Sequence, residues 1–318
     1  MDPGVDDALA LLLALHSPEL EIVGLTTVAG NIGVEQTTRN MLTVLEVAGV
    51  SDPPPVAMGA AVGLSGPIER AEHVHGRDGL GGAVELRDGE APRYPEPKLR
   101  PAELSAEELI VSAVREHGQE LTIIATGPLT NIARALSREP RLLRSIQELI
   151  IMGGAFAVPG NVTNHAEFNV SADPQAAAIV ARAGGPTLWV GLDVTHKTFL
   201  FRRDVEEEIL PRGGRVARFV ADCTAFYMDR HRSPNGAPGC YLHDPLAVAV
   251  AIDRTLVGAR PAQVEVVVEG EERGRTIARW LGTPGPCEPR GALVCTTVDT
   301  PRFRRLFLER ITGPPEQR

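Results

Sequence analysis

Short apolar runs that stop at Gly, Thr, Asn or Asp alternate with helical stretches along most of this chain. That alternation restricts the fold more than any other feature. Residues 21–28 form a β-branched run ending at Gly30-Asn31, followed by a helical stretch over 34–47 and a short strand at 56–58. After an interruption come a helix over 106–116, a strand over 121–125 and a helix from Asn131. Residues 147–152 read as a buried strand stopped by Gly153-Gly154, and a helix over 174–183 precedes a strand over 187–192 that ends at Asp193. The pattern predicts an α/β fold with an open, mostly parallel, doubly wound sheet. In such sheets ligands bind beyond the carboxyl ends of the strands, so polar residues just past strand ends are the candidates for chemistry.

The chain of 318 residues reads as a single domain over 1–318, with no internal repeat and no dividing linker. Two long irregular loops, at about 59–104 and 228–242, interrupt the pattern and read as lids or excursions. The net charge of −9 without a Lys/Arg-rich run argues against nucleic acid or an anionic membrane as partner and favours a small molecule. The run over 8–15 is too short to cross a bilayer, and its flanks, Asp6-Asp7 and His16-Ser17-Pro18, are helix start and stop signals. Cys223, Cys240, Cys287 and Cys295 form no C-x-x-C pair, and no cationic signal-peptide region opens the chain. The expectation is reduced thiols in a cytoplasmic protein.

Met1-Asp2-Pro3-Gly4-Val5-Asp6-Asp7 places three carboxylates around a Pro-Gly turn immediately before that apolar helix. The helix N-terminus offers partial positive charge, and a bound hard cation is the fuller answer to the repulsion. Three further polar sites follow: Thr126 to Asn131 after a buried strand, Asn161 to Asn169, and His243-Asp244-Pro245 opening an apolar helix. Each has a plainer reading. Asp6 and Asp244 serve equally as N-caps, Asn31 and the Asn161–Asn169 stretch as turns, His73 and His75 as loop residues, and His243 as a structural histidine.

The joint pattern resembles the nucleoside hydrolase family, the inosine/uridine-preferring N-ribohydrolases. Asp2-Pro3-Gly4-Val5-Asp6-Asp7-Ala8 is similar to that family's aspartate-rich signature. In family order follow Thr26-Thr27-Val28-Ala29-Gly30-Asn31, His73-Val74-His75-Gly76, Thr126-Gly127-Pro128-Leu129-Thr130-Asn131, Met152-Gly153-Gly154, Ala166-Glu167-Phe168-Asn169 and His243-Asp244-Pro245. One acidic run is weak evidence; collinear motifs over nearly the whole chain are strong. The resemblance implies a Rossmann-like sheet and hydrolysis of ribonucleosides to ribose and free base in purine or pyrimidine salvage, by a homodimer or homotetramer.

It also implies roles. Ca²⁺ is held by Asp2, Asp7 and Asp244 with the backbone carbonyl of Thr126, an all-oxygen shell that suits a hard cation better than Zn²⁺. Ribose hydroxyls complete the shell, a bound water is activated, and Asp2 takes its proton as general base. Asp6, Asn31 and Asn169 grip ribose hydroxyls, Asn161 and Glu167 hold the 5′-hydroxyl, and His75 joins the substrate-binding set. His243 is the acid toward the departing base, a task that suits a near-neutral pKa. Tyr227 and His231, at helical spacing, either stack on or protonate the base or simply pack. Base contacts fall to the two loops, so the motifs do not name the base.

The family's signature follows an apolar first strand and carries a further aspartate two positions before the equivalent of Asp2; here Met1 stands between the two aspartate positions. The reading predicts a natural chain with roughly 5–10 more residues, about one strand. Without them, stability and metal affinity should fall, because catalytic groups need placement to within a fraction of an ångström. The alternative function is therefore a non-catalytic or impaired ribose or nucleoside binder on the same fold. A phosphatase-type nucleophile at Asp2 ranks lower, since no suitable Lys follows Thr126-Gly127, and no G-x-S-x-G elbow supports a serine hydrolase.

Overall fold

The structure is a computed structural model that describes residues 1–85, 93–233, 235–282 and 291–313. The strands are β1 (Leu25–Thr26), β2 (Val56–Ala57), β3 (Thr122–Ala125), β4 (Glu148–Met152), β5 (Thr187–Val190), β6 (Phe199–Phe201), β7 (Gly239–Tyr241), β8 (Val257–Val266), β9 (Thr276–Trp280) and β10 (Ala292–Val298). The helices are α1 (Val5–Leu15), α2 (Val34–Ala48), α3 (Glu72–His75), α4 (Ala106–His117), α5 (Thr130–Arg138), α6 (Phe168–Ala172), α7 (Pro174–Arg182), α8 (Leu192–Thr195), α9 (Arg202–Asp204), α10 (Gly214–Arg230), α11 (His243–Ile252) and α12 (Thr300–Arg310). Among the described residues no helix is long and apolar enough to cross a membrane.

The main sheet has the order β3-β4-β5-β10-β8-β9. Its first four strands are parallel, in the register Ile124↔Ile150, Ile150↔Leu188 and Leu188↔Leu293, and β8 and β9 complete it antiparallel. β1 and β2 form a separate parallel pair, and β6 and β7 an antiparallel one. The expected α/β architecture with a mostly parallel sheet is thus present. The expected strand over 21–28 contracts to Leu25–Thr26, because its partner β2 is cut short by Pro53-Pro54-Pro55, whose residues lack amide donors.

Two apolar layers enclose the sheet. One is built from α1, α2, α10, α11 and α12, with Leu9, Leu12, Met41, Phe219 and Phe307 at its centre; the other, from α4, α5 and α7, is centred on Ile132, Leu149, Val180 and Trp189. α1 is buried from Val5 to Leu13, as a helix apolar on all sides must be, and it packs against α11. α4 begins with a capping box in which the Ser105 hydroxyl accepts from the Glu108 amide and the Glu108 carboxylate accepts from Ser105.

The two long loops are more ordered than the sequence suggested. Residues 72–75 form α3, residues 228–230 complete α10, and 239–241 form β7. Cys223, Cys240 and Cys295 are buried free thiols. Cys287, residues 86–92, Pro234 and the tail over 314–318 lie outside the described residues.

Candidate active site

Local chemistry fixes the first turn of α1. The Gly4 amide donates to Asp7 Oδ2 (3.2 Å), and the Val5 amide donates to Nδ1 of His75 (3.1 Å). A Cβ on Gly4 would lie 2.7 Å from both His75 Nδ1 and Asn31 Nδ2, so only glycine lets these side chains approach. Because Nδ1 of His75 accepts a hydrogen bond, its proton sits on Nε2. Burial, and then the neighbouring His231 and His73, lowers its pKa to about 3.

Asp7 is the hub. Its Oδ1 accepts from the Asp2 amide (3.3 Å) and the Thr126 hydroxyl (2.9 Å), and its Oδ2 accepts from the Asn31 side-chain amide (3.2 Å). The Asn31 backbone amide donates to Asp2 Oδ2 at 2.8 Å. Helix α11 brings Asp244 to the same point, so that carboxylate oxygens of Asp6, Asp7 and Asp244 lie within 4.8 Å of one another, all buried. No cationic side chain enters this group among the described residues. Burial is the leading cause that raises the pKa of each of these carboxyls; repulsion from neighbouring carboxylates adds to it at Asp2, Asp6 and Asp244, whereas at Asp7 the N-terminal ammonium and hydrogen bonds oppose it, and Asp6 reaches about 8. Asp2 Oδ1 and Asp6 Oδ1 are buried without a hydrogen-bond partner. An all-oxygen donor set with excess negative charge and idle lone pairs fits a hard divalent cation.

Asp6 and Asp244 open onto a cavity of about 550 Å³, a volume usual for small-molecule sites. Every residue expected to touch substrate lines it: Asp6, Asn31, His75, Asn161, Glu167, Asn169, Tyr227 and His231, together with His243 and Thr126. Asp2 and Asp7 stand behind this wall, fully buried. Asp2 lies beside the close carboxylate trio rather than within it, touching Asp7 through its own amide. The Thr126 carbonyl accepts from Asn169 Nδ2 at 3.2 Å, as does that of Met152 at 3.1 Å, so α6 is tied to the ends of β3 and β4. Glu167 caps α6: Oε1 accepts from the Asn169 amide, and Oε2 from those of Gly154 and Val170.

Two aromatic groups line the cavity. In one, Tyr227 sits 5.3 Å from His75 and 4.3 Å from His231, centroid to centroid. His231 itself lies just past the last residue of α10, its Nδ1 3.0 Å from the Tyr227 carbonyl. In the other, Tyr241 lies 5.0 Å from His196 and 5.4 Å from His243. Sequence reasoning missed His196 and Tyr241. Nδ1 of His243 is 2.8 Å from the Thr195 hydroxyl. The near-neutral pKa expected of His243 is not found: burial, then His196, His231 and His75, lowers it to about 3, which leaves a neutral imidazole.

The model of the inosine-uridine preferring nucleoside hydrolases matches residues 1–305. The chain belongs to this family. Nucleoside hydrolases of known name are similar over nearly its full length. A probable uridine nucleosidase 2 of Arabidopsis thaliana is 34% identical, covering 98% of this chain and 95% of its own. The pyrimidine-specific ribonucleoside hydrolase RihA of Citrobacter koseri is 38% identical, over 98% and 96%. Among solved structures, a purine-preferring ribonucleoside hydrolase from Gardnerella vaginalis superposes with a TM-score of 0.88 at 37% identity, covering 98% and 96%. As a nucleoside hydrolase, the chain belongs to a metal-dependent group of enzymes, and its Asp6, Asp7 and Asp244 lie close enough together to hold a metal ion.

Proposed function

We propose that this nucleoside hydrolase cleaves the N-glycosidic bond of ribonucleosides, yielding ribose and free base, with Ca²⁺ as its cation. The observation that carries the reading is the convergence of three buried carboxylates, with no cationic side chain between them among the described residues, beside a cavity walled by hydrogen-bonding side chains. Asp2, Asp7 and Asp244, with the Thr126 carbonyl, would hold the ion, and Asp6 stands at 4.8 Å or less from the latter two carboxylates. When bound, the cation polarises a water and lowers its pKa.

The protein's own groups divide the remaining work. Asp2 is held through Oδ2 by the Asn31 amide, and its unpartnered Oδ1 takes up the water's proton. Asn31 and Asn169 spend their amide nitrogens on protein acceptors, which leaves each Oδ1 to receive a ribose hydroxyl. Asp6 Oδ1 receives another. These acceptors disfavour 2′-deoxyribose, whose loss of a hydroxyl leaves a buried oxygen unpaired. Glu167 and Asn161 line the same cavity where the 5′-hydroxyl is received. As the C–N bond breaks, the sugar becomes oxocarbenium-like and the base gains electrons. Tyr227, whose phenol burial keeps neutral, and the neutral imidazole of His243 then donate hydrogen bonds to the leaving base.

Release of reducing sugar from inosine, uridine, cytidine and adenosine tests the reading, with EGTA and with Ca²⁺ restored. Turnover should vanish with the chelator and return with Ca²⁺. Turnover indifferent to EGTA would refute the cation's part, and calorimetric nucleoside binding without ribose release would make the chain a binder.

A further inference from the structure

Five imidazoles line the cavity: those of His73, His75, His196, His231 and His243. The proposed cleavage leaves one task among them open. Tyr227 and His243 offer the base hydrogen bonds from neutral groups, and neither supplies the proton that turns a departing anion into a neutral base.

Four of the five are ill suited to deliver it. His75 and His243 are buried, and burial keeps both rings neutral. Each also commits one nitrogen to the protein, His75 Nδ1 to the Val5 amide and His243 Nδ1 to the Thr195 hydroxyl. His231 turns Nδ1 to the Tyr227 carbonyl at 3.0 Å, and after burial the Arg230 guanidinium further opposes a second proton on its ring. His73 is exposed and makes no ring contact or hydrogen bond among the described residues, so nothing aims it.

His196 combines what the others lack. It follows α8 directly, its amide bonded to the Leu192 carbonyl at 3.2 Å, and its ring is held by those of Tyr241, 5.0 Å away, and His243, 5.7 Å away. Neither ring nitrogen meets a protein donor or acceptor among the described residues, so both are free for a ligand. The residue is half-buried, which gives it access to protons from solvent. Burial lowers its pKa, and the Asp193 carboxylate, three residues earlier on α8, works against that by favouring the charged ring. That carboxylate is itself fixed by the amides of Phe156 and Ala157. His196, His231 and His75 all act on His243, so the imidazoles converge on one part of the cavity.

We propose that His196 is a catalytic residue, the acid that protonates the leaving base. As the C–N bond breaks, its electron pair passes to the base, and a proton moves from a ring nitrogen of His196 to a nitrogen or carbonyl oxygen of that base. The water oxygen bonds to the sugar carbon and its proton goes to Asp2, so the products are ribose and neutral base. His196 then regains a proton from solvent, and Asp2 returns one to it. The assignment rests on the proposed glycosidic cleavage and names its proton donor.

The test compares inosine with para-nitrophenyl β-ribofuranoside, whose nitrophenolate leaves as a stable anion and needs no acid. In His196→Gln and His196→Ala, each folded by circular dichroism, the ratio of kcat on inosine to kcat on the nitrophenyl riboside should fall at least about 100-fold. Glutamine keeps a hydrogen-bonding group and cannot release a proton, so the two variants should be equally deficient. An unchanged ratio overturns the assignment, whether turnover of both compounds falls together or of neither. A ratio restored by glutamine overturns it too, because hydrogen bonding would then suffice. Both of those results leave the cleavage standing, since the parent acts on inosine and on the nitrophenyl riboside with Ca²⁺ present. A parent that releases ribose from neither compound defeats the cleavage and the assignment together.

Discussion

Asp244→Asn tests whether the carboxylate group is built for a cation or is merely a buried hydrogen-bond cluster. Without an ion, Asp244 stands within 4.8 Å of Asp6 and Asp7. Two unit charges at that distance repel by roughly 3–4 kcal/mol at an effective dielectric near 20, and proton uptake relieves part of this. The asparagine removes one charge and supplies a permanent N–H toward Asp7, where the acid form must borrow a proton. In EGTA at pH 8 the variant should therefore be more stable than the parent by about 1–3 kcal/mol, a rise of roughly 2–5 °C in Tm by calorimetry. The sign with pH follows from linkage. Carboxyls whose pKa is raised on folding destabilise the protein above their ordinary range near 4 and cease to do so below it. The gain should thus shrink toward zero in metal-free buffer at pH 4. With Ca²⁺ at a hundredfold excess over its Kd the parent gains about 2.7 kcal/mol and the variant much less, so the order of the two melting curves reverses. A variant that melts below the parent in EGTA at pH 8 would refute the reasoning, because it would show that protein groups already satisfy Asp244.

Three further substitutions probe the supports of the site. Gly127→Ala places a Cβ 2.5 Å from Asp2 Oδ1, so turnover should fall at least about 100-fold while circular dichroism shows a folded chain. Thr195→Val removes the hydroxyl 2.8 Å from His243 Nδ1; kcat should fall roughly tenfold with little change in KM, and an equal change in both would place His243 in ground-state binding. Asn40→Ala frees two buried carbonyls, of Pro3 and Asp78, that its side-chain amide now bridges at 2.9 and 2.8 Å. Urea denaturation should register a loss of about 1–3 kcal/mol.

The elements that could be read from the sequence are those whose pattern is local. α1, α2, α4 and α7 were legible because apolar period and end signals lie within one stretch, as with Ser105 and Glu108 of α4 or Pro174 at the start of α7. The order of β3, β4 and β5 followed from alternation with helices. β1 was overread because a strand's length depends on its neighbours, and residues 21–24 have no strand partner among the described residues. The short elements inside the two loops escaped for the same reason. β7 exists only because β6 pairs with it, and α3 only because the Val74 and His75 amides return to Ala71.

The site divides along the same line. Three of its acidic groups are concentrated in one turn of chain, Asp2 to Asp7, and any reading of charge density finds them. The half that faces the base is assembled by topology. The antiparallel pairing of Phe199 with Tyr241 sets the residues before β6 beside those after β7, and so brings Thr195 and His196 to His243 across 47 positions of sequence or more. Only Asp193 hinted at this. The strand expected to run to 192 stops at Val190, and Asp193 lies in the first turn of α8, where it accepts from the amides of Phe156 and Ala157 at 2.9 and 2.8 Å and fixes the turn after β4. The imidazole and phenol groups of this wall share no motif, since each comes from the end of a different element. Their contribution to base choice is therefore a property of how β6 and β7 are seated. Changes at Phe199, which stands 5.0 Å from Tyr241 without lining the cavity, should alter the ratio of rates on uridine and inosine as surely as changes at Tyr241 itself. An unchanged ratio in Phe199→Leu, measured on both nucleosides, would show that the wall is positioned by α11 alone.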